Sequence, residues 1–364
     1  MKIIINQPRA SYFVGGAEMI SFYHAINFLK LNNDVYFFTL LPESIGLKYS
    51  DQFKHFREQY SSKIKIIEIS QDIKIKPIYN IQPGEDRCRW NVESIFYNQK
   101  LYEYIQRESK KYDVIFSYYN LDSVFICREF IKKNVLYLCG IPREQNDFQG
   151  SFLYAYDIVI AISNEVKKAW QKYCDKIHVI STGVDYNRFS LKKYVSLKKK
   201  EIIILYVGRL IYRKNVDKVI AAFENLRNKY NLKLFIIGDG PDRERLKALS
   251  NNAMFFGIVE NTEEFYMRSD IFVSPSEYGE GLQGTILEAM SCGLTVVATN
   301  TKVNREILSG GRGFVVDTSF ESIVDGITKA ITANRTKISQ ISRKYIIENY
   351  DWISKSKKIL EVIK

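Results

Sequence analysis

Short β-branched and aromatic runs alternate with longer stretches of helical periodicity from one end of this chain to the other. Strand, helix and strand in repeating order predict βαβ units, and therefore parallel sheets, because a parallel neighbour needs a crossover that a helix supplies. In the first half, strands are expected at residues 2–6, 35–40, 64–69, 114–117, 135–139, 158–161 and 177–180. A lysine-rich run at 192–200 interrupts the pattern, which restarts at 202–207 and continues with strands from 234 and at 271–274, 295–298 and 314–317. A chain of 364 residues holds two domains of ordinary size. The reading is an α/β chain with an amino-terminal Rossmann-like domain over 1–187, a linker over 188–200 and a second Rossmann-like domain over 201–347. A closing helix is expected over 348–364, where Tyr350, Trp352, Ile353, Ile359 and Leu360 fall in helical register. The stretches 43–60 and 74–93 carry many aromatic and basic groups but little clean periodicity.

Within the second domain, residues 280–293 read EGLQGTILEAMSCG. Glu280 and Glu288 stand eight positions apart, with Gly281 and Gly284 in the turn between them and Ile286, Leu287, Ala289 and Met290 opening a helix. One carboxylate falls on the loop and the other in the helix's first turns, at an end where free amides and the helix dipole attract anions. Such an element can accept hydrogen bonds from sugar hydroxyls and donate them to phosphates, and its glycines let a ligand approach the backbone. The two glutamates alone fit an ordinary buried helix behind a glycine turn equally well. A second phosphate-facing arrangement is Gly15-Gly16, between the first strand and a helix in which Met19, Ile20, Tyr23 and Ile26 recur at helical spacing. Many α/β proteins turn at such a pair for steric reasons alone. A third is the loop opened by Gly208 and flanked by Arg209 and Lys214, two cations near amide donors that suit a diphosphate leaving group. The turn Gly238-Asp239-Gly240-Pro241 lacks the third glycine of a dinucleotide fingerprint and does not support a nicotinamide cofactor.

Together, GGAE at 15–18, TGVD at 182–185, GRLIYRK at 208–214, GDGP at 238–241, FFGIV at 255–259 and the Glu, seven residues, Glu signature of 280–288 resemble the retaining glycosyltransferases of family 4. The resemblance is strong over 202–314, moderate at 15–16 and 183–185 and poor over 43–111. It implies the GT-B fold, two Rossmann-like domains facing each other across a cleft, with a nucleotide-sugar donor against the second domain and a glycan or lipid-linked acceptor. It also implies donor contacts from Gly15, Gly16, Gly208, Ile258, Gly281, Leu282, Gln283, Gly284, Thr285 and Glu288, with Glu288 on the ribose. Glu280 would hold the transferred sugar, while Arg209 and Lys214 stabilise the departing diphosphate; these three form the expected catalytic set. With cations at the phosphates and no Asp-x-Asp motif, neither a metal nor another cofactor is expected. Many members of that family carry a histidine after the strand at 135–139, whereas Gly140 stands here, with Arg143 and Glu144 the nearest polar residues. The only histidines are His24, His55 and His178, and the first and last are expected to pack or lie on the surface. Two other readings stay open: a nucleotide-sugar 2-epimerase of the same fold, and a non-catalytic sugar-nucleotide-binding protein.

The net charge of +12 favours anionic partners. By charge alone these are nucleic acid, anionic lipid headgroups or phosphorylated substrates. The resemblance to a family that commonly builds cell-surface glycans or glycolipids, together with aromatic residues in the amino-terminal loops, implies a phosphorylated substrate and an anionic membrane surface contacted peripherally, not nucleic acid. Five cysteines, an odd number with no C-x-x-C pair, suggest neither a disulfide framework nor a zinc site and fit a reducing cytoplasm. The short apolar run at 3–5 is followed at once by polar residues and reads as a strand, not a signal peptide. No apolar stretch reaches the ~20 residues of a membrane-spanning helix.

Overall fold

The computed structural model describes every residue except 14, 72–85, 119–127, 143–149, 151, 192–200 and 278–280, and gives the backbone alone at 86–93. The expected linker run 192–200 therefore lies outside the described residues. The chain forms two compact units, Met1–Thr182 with Trp352–Lys364, and Gly183–Asp351.

The first unit is built on seven strands: β1 (Lys2–Asn6), β2 (Asp34–Leu40), β3 (Lys65–Ile69), β4 (Tyr112–Ser117), β5 (Ile131–Leu138), β6 (Ile158–Ala161) and β7 (Ile177–Val179). All pair in parallel, in the order β3-β2-β1-β4-β5-β6-β7. Successive strand residues face opposite sides of a sheet, so the run Ile3, Ile4, Ile5, each fully buried, requires cover on both faces. One face packs Ile4, Phe38 and Ile115 against Tyr97, Leu101 and Ile105 of α3 (Asp86–Glu108), a stripe at four-residue spacing. On α1 (Gly16–Lys30), Phe22 stacks on Phe37 of β2 and on Phe56 of α2 (Asp51–Tyr60). Neither α2 nor most of α3 was anticipated. The signal in α2 is confined to Ser50, whose hydroxyl caps the helix by accepting from Phe53 N–H, and to Phe53 and Phe56 one turn apart. β5 also begins earlier than expected, because Lys132 sits at the strand's solvent-facing start, paired to Asp113 at 2.6 Å. A short helix, α4 (Asn164–Trp170), follows β6 with Ser163 as its cap.

The second unit holds six parallel strands: β8 (Ile202–Val207), β9 (Leu232–Ile237), β10 (Ala253–Gly257), β11 (Ile271–Ser274), β12 (Thr295–Thr299) and β13 (Gly313–Val316). Their order is β10-β9-β8-β11-β12-β13. The core sets Ile204, Leu234 and Ile236 against Val219, Ile220 and Phe223 of α5 (Val216–Leu226) and Ile323 and Ile327 further along. The remaining helices are α6 (Arg243–Lys247), α7 (Thr262–Arg268), α8 (Gly284–Ser291), α9 (Lys302–Leu308), α10 (Phe320–Thr332) and α11 (Arg335–Asn349). β10 was missed as a strand; it is an edge, with Met254 and Phe256 turned outward, and lacks a continuous buried run. The last helix, α12 (Trp352–Ile363), belongs to the first unit, where Trp352 stacks on Tyr23 at 5.1 Å.

Both units are doubly wound α/β domains, the fold class the alternation predicts. Their limits differ from the expected 187 and 348. The turn after Thr182 belongs with the second unit, because Val184 bridges Asp351 and donates its N–H to Tyr350 O, and Arg343 donates to the carbonyls of Tyr186 and Phe189. Glu348 and Asn349 end α11, so the closing helix starts only at Trp352.

Candidate functional site

In a sheet ordered this way, the two strands flanking the first one lead their loops to opposite faces, which leaves a crevice at the strands' carboxyl ends. In the second unit that switch point lies between β8 and β11, paired through Ile204 with Ile271 and Leu205 with Phe272. The two sequence motifs richest in candidate residues follow these two strands.

The loop after β8 is laced to its neighbours by backbone bonds. Gly208 N–H donates to Ile237 O, Leu210 N–H to Asp239 O at 2.9 Å, and Gly238 N–H to Gly257 O at 2.7 Å. A Cβ at Gly238, where φ is +126°, would lie 1.9 Å from Gly208 O, and one at Gly240 would lie 2.3 Å from Leu210 O. These glycines are therefore demanded by the close passage of two loops. The lacing fixes the backbone of Arg209, whose carbonyl accepts from Tyr206 Oη at 3.0 Å. Its side chain is exposed and meets no hydrogen-bond or ion-pair partner among the described residues. Lys214 closes a short turn, Tyr212–Lys214, followed by Asn215 in a left-handed conformation with φ of +50°. Asn215 Nδ2 donates to Pro275 O at 2.9 Å and Glu277 N–H donates to Arg213 O at 2.8 Å, so the turn carrying Lys214 is fastened to the loop after β11.

That loop leads to α8. Gln283 precedes the helix, but its side-chain oxygen accepts from Ser274 Oγ at 2.6 Å, and among the described residues no side chain caps the first turn. A Cβ at Gly284 would meet no described atom within 4 Å. The amides of Gly284 and Thr285 thus lie at the positive end of a helix with no side-chain cap among the described residues. Gly281 is half-buried and Leu282 buried beside them. Glu280 lies outside the described residues. Glu288, half-buried on α8, accepts from Tyr266 Oη at 2.9 Å; burial raises its pKa to about 7, against the smaller opposing effects of that hydrogen bond and of Arg188. Arg188 is itself held 2.8 Å from Glu263. Ile258, 61% exposed, follows Gly257, a left-handed turn residue.

The structure thus collects Gly208, Arg209, Lys214, Ile258, Gly281, Leu282, Gln283, Gly284, Thr285 and Glu288 on loops and helix ends after β8, β10 and β11 of one sheet. Gly15 and Gly16 stand in the other unit, at the start of α1. There a Cβ at Gly16 would meet nothing described within 4 Å, while one at Gly15 would lie 2.5 Å from Glu18 Oε2. Gly140 also has open space at its Cβ position, and Arg143 and Glu144 lie outside the described residues. His24 is fully buried among Phe28, Phe116, Tyr118, Tyr137 and Trp352, with a pKa lowered to about 3 by burial, and is a neutral packing residue. His55 and His178 are exposed. Sequence reasoning missed Tyr266, Arg188 and Asn215; their functional contacts are tertiary, and only Asn215 carried a local signal, as the residue before a helix. Among the described residues no group of three His, Cys, Asp or Glu side chains could hold a metal ion, and no helix is long and apolar enough to cross a membrane.

A family model described as "Glycosyl transferases group 1" matches residues 187–352. An uncharacterized glycosyltransferase of Methanocaldococcus jannaschii, MJ1069, is 29% identical over 279 residues, covering 66% of this chain and 71% of the relative. The capsular polysaccharide biosynthesis glycosyltransferase CapM of Staphylococcus aureus is 29% identical over 42% of this chain and 44% of its own length, so this chain spans less than half of that relative. Among solved structures, Anabaena Alr3699/HepE in complex with UDP-glucose superposes with a TM-score of 0.76 at 18% identity, covering 100% of this chain and 99% of the other. At that identity the likeness is one of fold.

Proposed function

We propose that the chain, whose residues 187–352 match the glycosyl transferases group 1 family model, transfers a sugar from a nucleotide-activated donor to a glycan or lipid-linked acceptor, with retention of the anomeric configuration. One observation carries this reading: the start of α8, uncapped among the described residues, and the Arg209–Lys214 loop lie at a single switch point, with a half-buried carboxyl at Glu288 behind them. Amides and two cations there suit a diphosphate, whose charge grows as the glycosidic bond breaks. Glu288 accepts from the ribose hydroxyls. Glu280 keeps the role that the resemblance gives it, on the transferred sugar. Retention follows if the departing phosphate takes the acceptor's proton on the same face of the sugar, which needs neither a protein base tuned near neutral pH nor a metal. The UDP-glucose in the Anabaena structure and the capsular polysaccharide role in CapM's name make UDP-sugars and surface glycans the first substrates to try. The chain's charge of +12 supports peripheral contact with an anionic membrane, where a lipid-linked acceptor resides.

The test is a thermal-shift panel of UDP, GDP and ADP followed by turnover with the matching donors. A ligand at 100 times its dissociation constant adds about 2.7 kcal/mol of stability if it binds only the folded state. Release of nucleotide diphosphate together with a glycosylated acceptor whose anomeric proton shows retention is the expected result. An epimerase releases no glycosylated acceptor, a pure binder releases no diphosphate, and an inverted product overturns the mechanism.

A further inference from the structure

Glu263 and Tyr266 lie three positions apart on α7, so both side chains emerge on one face of that helix. Glu263 takes Arg188, and Tyr266 reaches Glu288 on α8. The Tyr266 ring is fully buried, packed against Phe189 and Phe272, and burial pushes its phenol pKa well above the ordinary value. Its hydroxyl is therefore a permanent O–H, and the acceptor it meets is Glu288 Oε2, at 2.9 Å. Glu288 Oε1 takes no hydrogen bond from any described residue.

We propose that Tyr266 is a positioning residue for Glu288, holding Oε2 so that Oε1 stays fixed and ionised for the cis-diol of a donor ribose. The inference rests on the assignment of Glu288 to the ribose, and adds the group that keeps that carboxylate competent. A phenol that donates to a carboxylate stabilises the charged form, and here it opposes the desolvation that works against charge. The other groups facing Glu288 are Arg188, which attracts the carboxylate, and Glu263 and Cys292, of which Glu263 disfavours its ionisation. Arg188's charge is partly satisfied by Glu263, which leaves the phenol as the direct donor. A diol donates best to an ionised acceptor, so donor affinity falls as Glu288 takes up a proton.

The experiment compares binding of UDP, GDP and ADP with binding of their 2′,3′-dideoxy analogues from pH 5.5 to 9 in the wild type, Tyr266→Phe and Glu288→Gln. The dideoxy probe lacks the diol but keeps the phosphates, so the difference between probes cancels phosphate titration. Phenylalanine retains the ring packing, and melting curves check that the fold persists. In Tyr266→Phe the pH at which the preference for the ribose form is half lost should move up by about one unit, the size of one hydrogen bond to a charged group. Binding of the dideoxy probe should not change. The carbon-13 shift of the Glu288 carboxyl should titrate correspondingly later without any ligand. Two results overturn the inference and differ from each other. If Glu288→Gln abolishes the ribose preference while Tyr266→Phe and wild type titrate together, Tyr266 only packs. If Glu288→Gln leaves the ribose preference intact, the ribose assignment fails, and the positioning role fails with it.

Discussion

The two units share a strand order around their first strand, β3-β2-β1-β4 in one and β10-β9-β8-β11 in the other, yet they treat the switch point in opposite ways. In the second unit the loops after β8 and β11 leave Arg209 exposed, the start of α8 uncapped among the described residues and Glu288 half-buried. In the first unit the residues after β1 are turned inward: Gln7 is fully buried, Arg9 3% and Glu18 1% exposed. Arg9 donates to Ser94 Oγ, Asn6 donates to Asn98 Oδ1, and beneath them His24 sits within a cage of aromatic rings. Among the described residues, one sheet topology thus supports both an end where polar and aromatic side chains are packed inward and one that leaves a cation exposed. Topology offers a crevice, and loop residues decide whether it is used.

The sharpest test of the closed side is Trp352→Ala. The ring stacks on Tyr23 and meets His24 edge-on at 5.4 Å, so its loss leaves a cavity under α12. Removing a buried tryptophan costs about 3–5 kcal/mol. Hydrogen exchange should show faster opening of α1, β1 and α12, with protection in α5 and β8 unchanged. Equal loss of protection in both sets would break the distinction between the units.

On the open side, Arg209→Ala or Lys214→Ala should lower kcat about 10²-fold or more, roughly 2.7 kcal/mol, the scale of losing one preorganised stabilising group. Arg209 is exposed, so its replacement should leave the melting temperature within about a degree or two. His55→Ala and His178→Ala, both at exposed positions of the first unit, should retain the rate, with or without EDTA. A rate abolished by the chelator or by either histidine variant contradicts the proposed leaving-group mechanism. His24→Ala is unsuitable for this comparison, because it hollows a core.

Much of this was legible in the sequence, for physical reasons that particular residues show. Largely buried parallel strands such as 202–207 and 271–274 are nearly continuous apolar runs, and their limits agree with the structure. β10 escaped because an edge strand exposes one face, and α3 because polar Ser94 and Asn98 are buried alongside Tyr97, Leu101 and Ile105 and blur its apolar stripe. The site's loops were legible where glycine and charge cluster near a helix start, as at Gly208–Arg209 and Gly284. The reason for a glycine was not: Gly238 and Gly240 serve loop crossing, which only the fold reveals. Nor could spacing show that Tyr266 and Glu288, 22 residues apart, share a hydrogen bond, or that His24 is enclosed.

The smallest expected effect contrasts the two units most directly, because each buries one titratable group of opposite kind. His24 has an ordinary pKa of 6.5, lowered in the folded protein to about 3. Between these values the unfolded chain binds a proton that the folded unit refuses, so the first unit loses stability as pH falls below about 6.5. Glu288 has an ordinary pKa of 4.5, raised to about 7. Between those values the folded unit keeps a proton that the unfolded chain releases, so the second unit loses stability as pH rises from 4.5 towards 7 and no further above it. From pH 7 to pH 5 the two contributions should have opposite signs, each of about 1–2 kcal/mol. The tryptophans at 90, 170 and 352 all belong to the first unit, so fluorescence follows that unit alone, while exchange in α8 follows the second. Other groups titrate in both units, so the comparison is made against His24→Gln and Glu288→Gln. Each should flatten the slope in its own unit only, and Glu288→Gln should raise the second unit's stability at pH 8 while weakening nucleotide binding. Parallel slopes in the two units that neither substitution alters would show that these two side chains do not govern the acid response.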